Sequence, residues 1–157
     1  MKSDDAAPSY VVQTVVRLLV PFVAIFGLFV AFHGATSAGG GFQGGVVVGT
    51  AVVLLALVFG NDDLRHALDR PGFAVLAVSG VVIFAGVGLG SLLLGGSYLQ
   101  YDVYPLEKAT TYGIELVELG IGATVTAVVV LFFFGLAGES RERPAVSADD
   151  REVTDRD

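Results

Sequence analysis

Two carboxylates stand three residues apart near the start of an apolar stretch, Glu115 and Glu118 in "YGIELVELGIG". On a helix that spacing puts them on one face. An ionisable residue inside a membrane segment is rare and is by default a functional candidate. A buried carboxylate is harder to ionise and can carry a proton, whereas a Na⁺ site would want several oxygens around the ion. A second reading serves Glu115: a helix that begins near Thr111 would stabilise a carboxylate in its first turns through the macrodipole. Glu118 lies deeper, about two turns in. Lys108 could neutralise a carboxylate along a cation or proton route, or form an exposed ion pair with Glu107 worth less than about 1 kcal/mol. His33 can titrate near neutral pH, or satisfy loop backbone where an apolar run ends.

Other chemistry is poorly supplied. The chain has no cysteine, so thiol nucleophiles, thiolate metal sites and disulfides are excluded. His33 and His66 are far apart and lack metal-ligand spacing. No catalytic residue set, metal or cofactor is implied. "GVGLGSLLLG" spells a glycine fingerprint but lies inside an apolar run without a preceding strand, so it fails as a nucleotide site. No basic patch suits nucleic acid.

The elements that must hold these residues are membrane helices. Of 157 residues 54% are hydrophobic and 16% charged, against roughly 25% charged in typical globular proteins, and the mean hydropathy is +0.73. Uncharged runs of about 18 residues or more read as spans. The pattern predicts an all-α membrane protein with four transmembrane helices. An acidic N-terminal tail (1–10) precedes a four-span membrane domain (11–138), and a charged, disordered C-terminal tail (139–157) follows. The first span ends near Phe32. Its uncharged part, 18–32, is only about 22 Å long, so the helix is expected to begin near Val11 with Arg17 reaching for the interface. Pro21 is a place for a bend. The others cover about 42–59, 73–94 (with Pro71 at a helix start) and 114–136.

Charge gives the orientation. Four spans put Lys2, Arg17, Arg65, Arg70, Arg141, Arg143, Arg151 and Arg156 on one side and Lys108 alone on the other. Basic residues favour the cytoplasm, so both termini are expected there. Tyr98, Tyr101, Tyr104 and Tyr112 gather at the outer end, as interfacial aromatics do. The net charge of −7, concentrated in the tails, fits either a high-salt habitat or simple solvation.

Between spans one and two runs "FHGATSAGGGFQGGVV". Gly39, Gly40 and Gly41 can take positive φ or let another backbone approach. Irregular backbone at membrane depth is tolerated only against protein or a wet cavity, so this Gly-rich link reads either as a broken-helix entry to span two or as an exposed loop. Phe42 would wedge the turn against a neighbour. Gly44, Gly45 and Gly49, and Gly86 with Gly90, are spaced for close helix approach, as are Gly120, Gly122, Ala123 and Thr124. They serve either packing within the chain or contacts with other membrane subunits.

These residues carry a resemblance. Pro21, Gly27, His33, Gly34, Ser37, Gly39, Gly40, Gly41, Phe42, Gly44 and Gly45 together resemble the MnhB (MrpB) family, small membrane subunits of the Mrp-type multisubunit cation/proton antiporters. The likeness is strongest over 17–60 and continues to about 137, and Ala38 stands where proline is expected. The resemblance implies a four-helix component of a complex that exchanges Na⁺ or another monovalent cation for H⁺ across the cell membrane. Its implied partners are other membrane subunits, those ions and the bilayer. A different reading is a structural scaffold in a related energy-converting complex, a membrane-bound hydrogenase or respiratory module.

Overall fold

The computed structural model describes residues 9–34, 36–59 and 70–142. The expectations for residues 1–8 of the acidic N-terminal tail, for 60–69 of the loop between spans two and three and for the tail beyond residue 142 lie outside the described residues; residues 139–142, expected in the disordered tail, continue the last helix. Four helices account for most of the rest: α1 (Tyr10–Phe32), α2 (Gly41–Phe59), α3 (Arg70–Leu93) and α4 (Ala109–Glu142), with a short 3₁₀ turn at Tyr101–Val103. All four are long and apolar enough to cross a membrane, so this is a multi-pass membrane protein. Helix α1 starts one residue from the expected point. The Ser9 side chain accepts the Val11 N–H there, satisfying one of the donors a helix start leaves unpaired. Pro21 lies within the continuous α1.

The helices pack in a row, α1 on α2, α2 on α4, and α4 on α3. Such a row has two broad faces and two open edges. The edge helices therefore expose large apolar side chains, Phe22, Ile25 and Phe26 on α1 and Val75, Val78 and Val82 on α3. In water this would be unstable. In a bilayer these faces meet lipid or other subunits.

Helix α4 sits between two neighbours, and its "GIGATVT" sequence serves both. Gly120 and Thr124, one turn apart, face α3: a Cβ at Gly120 would lie 3.1 Å from the Gly80 carbonyl oxygen, and the Thr124 hydroxyl donates to the Ala77 carbonyl at 2.8 Å. Gly122 and Thr126 face α2, where a Cβ at Gly122 would lie 3.1 Å from the Gly41 carbonyl oxygen. The Thr126 hydroxyl donates to the Gly45 carbonyl at 3.0 Å. Interhelical hydrogen bonds of this kind average about 0.6 kcal/mol in membranes. Thr124→Val and Thr126→Val are thus each expected to leave assembly intact and lower the melting temperature of the complex only slightly, as measured by thermal denaturation in detergent.

Gly86 and Gly90 of α3, expected to admit a helix, meet none among the described residues. Nothing lies within 4 Å of a Cβ at Gly86, and Gly90 receives not a helix but the Tyr104 ring hydroxyl. Tyr104 donates that hydroxyl to the Val87 carbonyl at 2.6 Å. Tyr98 lies over Gly88, and Tyr101 over Gly113. Three of the four tyrosines therefore fasten the 94–108 connection to α3 and α4, while Tyr112 is exposed.

The two hairpins are staggered. Gly41, the first residue of α2, touches Glu118 and Gly122 on α4, and Gly120 in the same turn touches Gly80 on α3. Gly80 lies thirteen residues before the end of α3 at Leu93, or about 20 Å. The α1–α2 link thus lies level with the middle of α3, across α4 from it. Helix α3 is uncharged from Pro71 through Leu93, so the link stands level with uncharged helix on both sides.

Candidate functional site

The link and Glu118 are separate features in the sequence, and the fold joins them. Helix α1 ends at Phe32, and the His33 carbonyl becomes the hub of the turn. It accepts the Thr36 N–H at 3.1 Å and the Ser37 N–H at 2.8 Å, with the Ser37 hydroxyl at 3.1 Å. The chain then doubles back, and the Gly40 N–H donates to the Val30 carbonyl at 3.1 Å. Gly39 and Gly40 have φ of 152° and 135°, a region that side-chain-bearing residues rarely enter. Helix α2 starts at once, with the Gly44 N–H donating to the Gly40 carbonyl at 3.0 Å.

Glu118 lies against this turn. A Cβ on Gly34 would fall on its carboxylate, and one on Gly40 would lie 3.1 Å from Oε1. A Cβ on Gly41 would land on the Glu118 carbonyl oxygen. Three glycines of the link thus leave the space that the Glu118 side chain and backbone occupy. The residue as a whole is partly exposed. Its Oε2 is nevertheless buried, with no hydrogen-bond partner among the described residues. A buried oxygen without a donor is costly, so a partner from outside the chain, a proton, cation, water or side chain of another subunit, would relieve it.

The other expected residues divide. Glu115 is one turn towards the start of α4, partly exposed, on the same face. Helix α4 begins at Ala109, earlier than expected, and has no acidic residue in its first turn. The macrodipole acts within that turn, so it does not account for Glu115. Lys108 is exposed with φ of 61°, and its carbonyl accepts the Tyr112 N–H at 3.2 Å; its backbone shapes the start of α4. His33 places Nδ1 2.9 Å from the Phe29 carbonyl, its ring centroid 4.0 Å from that of Phe29. Phe42 is 60% exposed and does not wedge the turn within this chain. Gly44 and Gly45 join helices: a Cβ on Gly44 would lie 2.5 Å from the Gly27 carbonyl oxygen, and one on Gly45 2.6 Å from that of Gly122.

Two neighbours were not foreseen. Gln43 brings its Oε1 to 3.6 Å from where a Cβ on Gly40 would stand; its polarity one residue after Phe42 in an apolar run was the available signal. Burial, then the Glu118 charge, then Tyr98 raise the Tyr101 phenol above its usual 10.0, so it stays a protonated donor at physiological pH. Nothing in the sequence separates Tyr101 from the other tyrosines. Among the described residues no group of three or more His, Asp or Glu is placed to hold a metal ion.

A family profile described as a domain related to the MnhB subunit of Na⁺/H⁺ antiporters matches residues 11–131. A protein of Staphylococcus haemolyticus (strain JCSC1435), whose name designates it an antiporter subunit, mnhB2, is 32% identical over 143 residues. That alignment covers 88% of this chain and 98% of the relative. The mnhB2 of Staphylococcus aureus (strain Newman) is 31% identical over the same shares.

Proposed function

Because the chain belongs to the family of domains related to the MnhB subunit of Na⁺/H⁺ antiporters, we propose that it is the MnhB-type membrane component of a multisubunit Na⁺/H⁺ antiporter. It is a transport component and not an enzyme. Its partners are the other membrane subunits of that complex, a monovalent cation and H⁺. Both termini face the cytoplasm, by the charge bias of the connecting segments.

Within that complex we assign Glu118 the role of a protonatable group on the ion path. The observation that carries this is the buried Oε2 without a partner among the described residues, held over glycines that leave it space. A structural carboxylate at such a place would be satisfied by its own chain. Glu118 is instead left to be completed from outside the described residues, and we take that partner to be a proton or cation. Glu115, one turn away on the same face and also partly exposed, is the companion group. Nothing in the geometry or among the relatives favours a scaffold role in a redox complex.

The test is exchange by the reconstituted complex. Proton transfer by a positioned side chain is worth about 10²–10⁴-fold in rate. Glu118→Gln keeps shape but cannot titrate. It is expected to assemble normally while Na⁺-dependent proton flux falls roughly tenfold or more or its pH profile moves, with a milder effect in Glu115→Gln. Wild-type flux and profile in Glu118→Gln would reduce the residue to a structural role.

A further inference from the structure

We propose that Glu118 lies at the closed end of a wet vestibule that opens on the membrane side of the 94–108 connection, so that within this chain it exchanges protons or monovalent cations with that side only. The inference rests on reading Glu118 as the ionisable group of the path, and it adds the direction of access.

The stagger of the hairpins creates the opening. Helix α1 has ended and α2 has only begun at the level of Glu118. The face of α4 that meets α2 lower down continues above Glu118 through Ile114, Glu115 and Thr111, by helical spacing. All three are partly exposed, and among the described residues no helix stands opposite them because α2 starts at Gly41. Two of these three are polar. Because α3 is uncharged from Pro71 through Leu93, we place this surface beside the hydrocarbon layer. Lipid against Glu115 would be costly, by about 2.5–3.5 kcal/mol for a charge at the bilayer centre on insertion scales, so water fits the space better than acyl chains.

Below Glu118 the same seam is shut. A Cβ on Gly41 would strike the Glu118 backbone, one on Gly45 would stand 3.0 Å from the Val125 Cβ, and one on Gly49 would stand 3.1 Å from the Val129 Cβ. The Thr126 hydroxyl is committed to the Gly45 carbonyl. Further down, Ala56, Val130 and Phe134 form a buried apolar cluster. The cavity of about 260 Å³ that flanks this contact, lined by Leu28, Val48, Leu119, Ala123 and Thr126, is almost wholly apolar, and this part of the seam has no titratable group. An ion or proton that reaches Glu118 must therefore continue through another subunit or return.

The absence of cysteine makes the test clean. Four single variants are made in the intact complex: Asp102→Cys in the connection, Thr111→Cys and Glu115→Cys in the vestibule, and Val125→Cys in the seam. Each is exposed to a membrane-impermeant trimethylammonium methanethiosulfonate, from either side of the membrane, and modification is read as a mass shift of this chain. Asp102→Cys fixes which side the connection faces, independently of any assumption about the termini. Thr111→Cys and Glu115→Cys are expected to react from that same side alone, with loss of exchange on labelling Thr111→Cys, while Val125→Cys reacts from neither. Reaction of Thr111→Cys and Glu115→Cys from the opposite side or from neither, or reaction of Val125→Cys, overturns the vestibule. Such a result leaves the role of Glu118 standing if Glu118→Gln still lowers flux; wild-type flux in Glu118→Gln removes that role whatever the labelling shows.

Discussion

Gly41→Leu is expected to prevent this subunit from entering a stable complex. The position has no tolerance in two respects. Gly41 is buried as the first residue of α2, and a Cβ there would land on the Glu118 carbonyl oxygen, with the Glu118 Cα at 3.0 Å. The obstacle is the backbone of α4, which cannot rotate away as a side chain could. Separating the helices would break the contacts of Gly45 and Gly49 with Gly122 and Val129 and the Thr126 hydrogen bond. Overpacking a core typically costs about 1–3 kcal/mol when side chains can yield, and here the cost is about 3 kcal/mol or more. Gly86→Leu is the control, since nothing lies within 4 Å of a Cβ there. Both variants would be expressed with the other subunits and the complex recovered by affinity purification. Normal recovery of Gly41→Leu would mean that α2 and α4 do not meet as described. Gly95 is a poorer control despite its open surroundings, because its φ of 84° disfavours any side chain.

Much of this architecture is legible in the sequence because the membrane leaves few options. Uncharged length defines four spans, and their ends fall close to the helices except at α4, which starts at Ala109 and not near Ile114. The cause of that miss is local. "EKATTY" is polar and looks like connection, but the left-handed Lys108 and the Lys108 carbonyl start the helix there, and the Tyr101 ring packs over Gly113 in its second turn. Glycine counts point to close approach but not to the object approached. Gly45 meets a helix, Gly90 a tyrosine, and Gly34 a carboxylate. Spacing within one element cannot reveal this, because the partner comes from a distant part of the chain. The same limit hides the relation between "HGATSAGGG" and Glu118. Each is a candidate alone. Their meeting depends on the order of helices in the row and on the stagger of the hairpins, and neither is encoded in hydropathy.

Gly34→Ala separates the steric role of the link from its conformational one. Gly39 and Gly40 sit in the left-handed half of conformational space, so any substitution there strains backbone as well as space. Gly34 is not among the positive-φ residues. Alanine at this position therefore adds one methyl group and no backbone strain, and that methyl would occupy the position of the Glu118 carboxylate. The carboxylate must then leave its hollow. The expected result is an assembled complex whose exchange is lowered about as far as in Glu118→Gln, although no ionisable group has been removed. The origin of the effect can be read from a double-mutant cycle. Glu118→Ala removes the carboxylate, so the methyl of Gly34→Ala should cost little in the double variant. The two substitutions should then couple by about 0.5–3 kcal/mol, as groups in contact do, measured as thermal stability of the purified complex. Strict additivity of the two changes would show that Gly34 and Glu118 do not share this space. Coupling in stability together with wild-type exchange in Gly34→Ala would show that they share it but that the position of the carboxylate does not matter for transport.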